Sequence, residues 1–339
     1  VRRRFLHAAQ RALHASGASA AFVRASAGGG AMILVYHGIV DDEGAPWVDP
    51  RFSVPKSVFE EQMRFLAARR RVLSLDELVE KLSQKKPVAR ESVVITFDDG
   101  YRSTLDIAAP ILKRLGLPAV LYLVTGSVTH GTSQFIDVLY ASFNRRTRDV
   151  LDFEALGVHH ADLRDPLVVR KTYLALADEL MRASAAERDR FLAEIVDRLR
   201  PDGSLPRLTM TWDEVRELRA LHPGIEIGLH TRNHVDLTCC GPDVVHWELR
   251  SCVEDVRGVL GVVARHFSFP YGRSSEAARR AVIEHGFRSA VVTEPAAVVR
   301  TSADPFGLAR LSAPSDMSLF PFVTSGAYPE LSLAVLGRA

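Results

Sequence analysis

Cysteine is scarce in this chain. Cys239, Cys240 and Cys252 are its only three in 339 residues, and none stand at C-x2-C spacing. That speaks against a disulfide framework or a zinc knuckle, and fits a reducing compartment or inert buried thiols. An excess of one charge is also missing. The formal net charge is +2, with arginine spread along the chain rather than massed, so no nucleic-acid partner is expected. No apolar run approaches the length that crosses a bilayer, so no integral membrane segment is expected either. Repeats and low-complexity tracts are absent apart from the small-residue stretch ASAGGG at 25–30.

The N-terminal VRRRFLHAAQRALHAS has the basic start of an export signal, but His7, Gln10, Arg11 and His14 interrupt its apolar part. That makes a poor export signal. Residues 1–30 are read as a short amphipathic segment and linker, packed on the domain or, as the second reading, touching a membrane surface. A cytoplasmic location is the expectation, with export left open.

What is present is 47% hydrophobic and 25% charged, enough for one large or two ordinary domains. Apolar, β-rich runs recur at 32–37, 93–97, 119–124, 225–229, 266–270 and 289–292. Helices with apparent capping boxes fall between them, at Ser57–Glu60, Ser74–Glu77, Ser184–Glu187 and Thr211–Glu214. Alternating β and α with near-continuous apolar strands predicts a parallel sheet covered by helices, open or closed into a barrel. Site residues are then expected where strands end. Residues 127–208 break the rhythm. They show no clear strand and two amphipathic helical patterns, and are read as a helical insertion because the β/α alternation resumes beyond them.

Two strand ends carry unusual chemistry. SVVITFDDG stops on the adjacent carboxylates Asp98 and Asp99, followed by Gly100. Buried like charges are costly unless a cation or a shared proton relieves them; alone, Asp-Gly is also a common turn dipeptide. EIGLHTRNHVDL places His230 and His234 four residues apart after a second strand. Two imidazoles and a carboxylate are a familiar metal set with open positions left for water and substrate. The two motifs together make chance or solvated histidines the poorer reading.

TFDDG (96–100), HTRNH (230–234) and FPYG (269–272), in this order, resemble the polysaccharide deacetylases of NodB-homology type, carbohydrate esterase family 4. The similarity runs from VYHGI (35–39) to LARL (308–311), and VYHGI with the insertion looks like the bacterial surface-polysaccharide subgroup. The resemblance implies a distorted (β/α)7 barrel over 31–315, followed by a tail at 316–339. It implies one divalent metal ion, most often zinc, on Asp99, His230 and His234, with cobalt, nickel or iron as alternatives. Asp98 is then the general base, and the backbone N–H of Tyr271, after Pro270, helps form an oxyanion hole. The implied substrate is an acetylated carbohydrate and the implied reaction is N-deacetylation.

This sequence departs from the family pattern twice. It has no late L-x-H motif to supply the general acid. His37, at the end of the first strand, is the candidate, since first and last strands of a closed barrel are neighbours. The arginine that commonly tethers the base is replaced by Ser268; Arg310 is the first candidate for its role and Arg273 the second. His159 and His160 read as surface, Cys239 and Cys240 as core, Trp212 and Trp247 as core, and Trp47 as a residue that could stack on sugar. Alternatives are an O-acetyl esterase or small-molecule amidohydrolase on the same scaffold, and a carbohydrate-binding pseudoenzyme.

Overall fold

The computed structural model describes residue 16 and residues 30–293 and 298–326. The expected N-terminal amphipathic segment and the end of the C-terminal tail lie outside the described residues. Seven strands form the body: β1 (Ala31–Tyr36), β2 (Ser92–Phe97), β3 (Ala119–Leu123), β4 (Ile225–Leu229), β5 (His266–Ser268), β6 (Ser289–Thr293) and β7 (Leu308–Ser312). Each pairs in parallel with its neighbours in chain order, and β1 pairs with both β2 and β7, so the sheet closes. This is the distorted (β/α)7 barrel.

The distortion has a visible cause. β3 pairs only with the last two residues of β2, Thr96 and Phe97, while the short strand Arg71–Val72 occupies the first two. The apolar fifth run also ends sooner than its sequence suggests: β5 stops at Ser268, because Pro270 opens a one-turn 3-10 helix, Pro270–Gly272.

Side-chain parity explains where chemistry sits. In β2, Val93, Ile95 and Phe97 pack outward against helices with Phe59 and Met63, whereas Val94 faces the barrel interior with Ile33, Val120 and Leu308. Residues of the interior set, continued by steps of two, reach His37, Asp98 and Arg310. A residue at the right parity beyond an inward-facing strand therefore arrives at the barrel mouth.

Helices cover the outside. Ser74, Ser184 and Thr211 form reciprocal capping boxes with Glu77, Glu187 and Glu214. The expected box at Ser57–Glu60 does not form. That helix begins two residues earlier, at Lys56 with Pro55 as its N-cap, and the Ser57 N–H donates to Asp42 instead. The insertion contains helices Phe135–Asn144, Pro166–Arg182 and Ala185–Leu199 with their own apolar core. It also contains an antiparallel hairpin, Val150–Phe153 with Val158–Asp162, where no strand was expected. Leu151 and Phe153 point inward and their neighbours outward, a pattern too short to register against the flanking helices. Within the expected tail, residues 320–323 form a short helix, Phe320–Val323, with Phe320 and Phe322 fully buried. Among the described residues, no helix is long and apolar enough to cross a membrane.

Candidate active site at the barrel mouth

Asp98 continues the inward parity of β2, and Asp99 turns sharply away with φ of 72° before Gly100 at 75°. The two carboxylates thus share one site while facing different partners. Asp98 is met by Arg310 from β7: Nη1 donates to Oδ1 at 2.7 Å and Nη2 to Oδ2 at 2.6 Å. Arg310 also donates to Thr96 Oγ1 at 3.1 Å and to Ser268 Oγ at 2.8 Å, and its side chain is 1% exposed. Ser268 therefore leaves room for a guanidinium delivered from the neighbouring side of the barrel. Arg273, the second candidate, is half-exposed and pairs with Asp236 at 3.1 Å, away from Asp98.

Asp99 has no such partner. Its buried Oδ1 makes no hydrogen bond. It lies 3.7 Å from His230 Nε2 and 3.4 Å from His234 Nε2. One ligand atom from each of the three residues falls within 4.8 Å of the others. His230 Nδ1 is 2.7 Å from the Ser268 carbonyl. A carbonyl only accepts, so Nδ1 carries the proton and Nε2 presents its lone pair toward Asp99. An orphaned buried carboxylate oxygen facing two imidazole nitrogens, one with its tautomer fixed, fits a divalent cation.

The electrostatics separate the two acids. Burial alone would raise Asp98, but the charge of Arg310, then of His230, and the Arg310 hydrogen bonds hold it far below the usual carboxylate range. Burial, then the charge of Asp98 and of Asp137, pushes Asp99 well above that range in the cation-free protein. Burial lowers His230, and lowers His234 further with help from His230 and Arg188. His37 is pushed down to about 4 by burial, against the pull of Asp98.

The loops that carry these groups are held by partners that no side-chain motif records. Four non-glycine residues of the site take left-handed backbone: Asp99, Thr231, His234 and Tyr271. Glu248, buried on the helix Pro242–Leu260, accepts from the N–H groups of Arg232 and Asn233 at 2.9 Å each. Gly126 lies so close that a Cβ there would meet the Arg232 carbonyl at 2.6 Å. Arg188 from the insertion and the Tyr271 hydroxyl both donate to the His234 carbonyl at 3.1 Å. Gln134 donates to the Asp99 carbonyl at 3.4 Å, and Tyr101 donates to the buried Asp137 at 2.7 Å. The Tyr271 ring also stands edge-on to His234, with centroids 4.7 Å apart. The insertion thus braces both candidate ligand loops, and a cavity of about 880 Å³ opens between it and Asn233. One signal of Glu248 lies in the helix pattern: an acid in register with the buried Val245, Leu249 and Cys252.

Tyr271 follows Pro270 at the second position of its 3-10 turn, where an N–H precedes the first intrahelical bond. His37 lies just past β1, half-buried, with its ring 5.6 Å from Phe52. The remaining sequence candidates fall elsewhere. His159 and His160 are exposed, as expected. Trp247 is 42% exposed and Cys239 is exposed, contrary to the core assigned to them, because both sit on the solvent side of the Glu248 helix and its preceding turn. Cys240 and Trp212 are only partly buried. Trp47 sits beneath Arg145 of the insertion, 5.9 Å from its guanidinium, rather than free beside His37.

Comparison with known proteins agrees with this architecture. The family model for polysaccharide deacetylase matches residues 85–290, more than half of the chain. A Bacillus subtilis (strain 168) protein named "Putative polysaccharide deacetylase YxkH" is 33% identical over 99 residues, which are 29% of this chain and 33% of that protein. The chain thus matches about a third of that relative's length. Among solved structures, the Streptococcus pyogenes deacetylase PplD in complex with acetate superposes with a TM-score of 0.58 at 17% identity, over 88% of this chain and 99% of that one. IcaB from Ammonifex degensii gives 0.57 at 17% identity, over 88% and 97%. At such identity these two likenesses speak for the fold.

Proposed function

Starting from a chain that belongs to the polysaccharide deacetylase family, NodB homology and carbohydrate esterase family 4, we propose that it removes N-acetyl groups from amino-sugar residues of a polysaccharide or glycan precursor by metal-dependent hydrolysis. One observation carries the reading: two adjacent buried carboxylates are treated unequally. Asp98 is neutralised by a bidentate arginine, and Asp99 is left facing two imidazoles. A ligand and a base require opposite environments, and this site supplies both.

Asp99, His230 and His234 would hold the cation, for which zinc is the first choice. Bound there, a divalent ion supplies Lewis acidity toward the acetyl carbonyl and toward water. Asp98, kept ionised and oriented by Arg310, takes the proton of the attacking water. The Tyr271 N–H donates to the oxygen on which negative charge develops. His37 faces Asp98 across the mouth and returns a proton to the departing amine. Burial lowers its basicity, so a proton held there is given up readily. Ser268, where the family pattern has an arginine, does not argue for a binding-only protein, since Arg310 reaches the base.

The test is acetate release from N-acetylglucosamine oligomers and from O-acetylated glycans, with wild type, Asp98→Asn and His37→Ala. The reading expects release from the N-acetyl substrates, reduced by a factor on the order of 10² to 10⁴ in Asp98→Asn and strongly reduced in His37→Ala. Release from O-acetyl substrates that survives His37→Ala replaces it with an esterase, because an alkoxide leaves more readily than an amine. No release from either class, with one metal bound per chain, sinks the deacetylase reading.

A further inference from the structure

A second cavity, of about 640 Å³, lies between the loop at Asp49–Arg51 and the insertion. Arginines dominate its wall: Arg51, Arg146, Arg164 and Arg170 all line it. Two of them are matched. Arg51 makes paired contacts to Asp49 at 2.8 and 2.6 Å, and Arg164 to Asp162 at 2.8 Å each. The other two are not. Arg146 donates only to the neutral carbonyls of Phe143 and Leu163, and its buried Nε has no partner. Arg170 is exposed on the helix Pro166–Arg182 and makes no ion pair with any described residue.

Unmatched guanidinium groups on a concave wall suit a planar or tetrahedral oxyanion, which they bind by charge-assisted, often bidentate hydrogen bonds. Tyr140, partly exposed, adds an aromatic side chain to this wall, while Tyr173 is held in place by Asp49 and Arg51. The cavity also lies near the proposed acid. The Arg51 guanidinium sits 5.4 Å from the Tyr173 ring centre and 5.3 Å from that of Phe52. The Phe52 ring in turn lies 5.6 Å from that of His37. Two side-chain contacts therefore connect it to the barrel mouth.

We propose that this cavity binds a carboxylate or phosphate carried by a sugar unit near the acetylated one, so that the substrate is an acidic rather than a neutral glycan. The proposal rests on the deacetylase reading for the word substrate, and on the arginines alone for the anion.

Binding by the metal-loaded protein is measured calorimetrically with three probes: a neutral N-acetylglucosamine tetramer, a tetrasaccharide alternating glucuronate with N-acetylglucosamine, and a phosphodiester-linked N-acetylglucosamine oligomer. Acetate release is assayed separately. At least one acidic probe is expected to bind about tenfold more tightly than the neutral tetramer, the scale of one charge-assisted contact. Preference between the acidic two identifies carboxylate or phosphate. The preference for acidic over neutral probes is expected to fall to near unity in Arg170→Glu, an exposed position where folding is not in question, and in Arg146→Met. Equal affinity for all three probes, or a preference that persists in Arg170→Glu, overturns the proposal. An arginine-dependent preference without acetate release from any probe leaves the anion site standing and removes the deacetylase. Release from the neutral tetramer with no acidic preference does the reverse.

Discussion

The two ends of the barrel each gather acid and histidine in a tight group, and they are chemically opposite. At the amino ends of the strands, Asp76, Glu226 and His266 lie as close together as Asp99, His230 and His234 do at the carboxyl ends. There, however, Arg265 contacts Asp76 at 2.5 Å and Glu226 at 3.0 Å, while Arg288 contacts Asp76 at 3.0 Å. Ser289 and Asp76 occupy both ring nitrogens of His266. Every donor has a partner, so that group is an ion-pair network. At the mouth, the one arginine is spent on Asp98, and Asp99 is left wanting a cation. Spacing does not distinguish the two groups; the number of guanidinium groups per carboxylate does.

The contrast can be broken in four places. The largest effect is expected from removing the orphaned acid. Asp99→Ala should abolish tight divalent-metal binding in calorimetry while stabilising the metal-free protein, since a buried like charge disappears. Asp76→Ala should leave metal binding intact and lower the unfolding midpoint. If both variants bind metal equally, the distinction between the ends is wrong. Next, Arg310→Met leaves Asp98 buried without its counter-charge and should cost about 3–5 kcal/mol in denaturant unfolding, with loss of acetate release. A change under about 1 kcal/mol would mean that water or rearrangement compensates Asp98.

A smaller effect tests the brace. Arg188→Met should weaken metal affinity by roughly 10- to 100-fold with a modest change in midpoint, as for other groups that orient ligands from behind. Unchanged affinity would make Arg188 a structural contact only. The smallest concerns pH. Burial holds His266 down to about 4, while Asp76 opposes that shift and Arg265 and Arg288 add to it. Its folded pKa is thus below its unfolded value, so the unfolded chain binds more protons between about pH 6.5 and 4. Stability is therefore lost as pH falls through that window. His266→Gln should flatten the midpoint-against-pH curve there relative to wild type, and an unchanged slope would count against the assignment.

Much of this was legible in the sequence. The runs themselves and the acidic and histidine motifs at their ends could be read directly, but Val93, Val94 and Ile95 are all apolar, so the pattern alone does not say whether Asp98 or Asp99 continues inward. What stayed hidden acts through the backbone. Arg188 and Gln134 touch carbonyls, and Glu248 accepts N–H groups, so no pairing of side-chain types announces them. Local signals also lost to context. Pro55 overrode the Ser57–Glu60 box, and the hairpin at Val150–Asp162 is only a few residues per strand. Trp247 reads as core by composition and lies outside because the helix it sits on turns Val245, Glu248 and Leu249 inward instead.

Barrel closure has a consequence in time rather than space. His37 enters from the first strand and Arg310 from the last, and Asp98 meets its counter-charge only when β7 docks against β1. During synthesis, a chain not yet extended to Leu308 carries the acidic pair and the histidine turn with the base unneutralised. Asp98 therefore acquires its orientation in the same event that closes the sheet. Non-local closure of this kind also makes folding slow relative to helix formation. A nick that releases β7 would strip Asp98 of its counter-charge without touching any of the three candidate metal ligands.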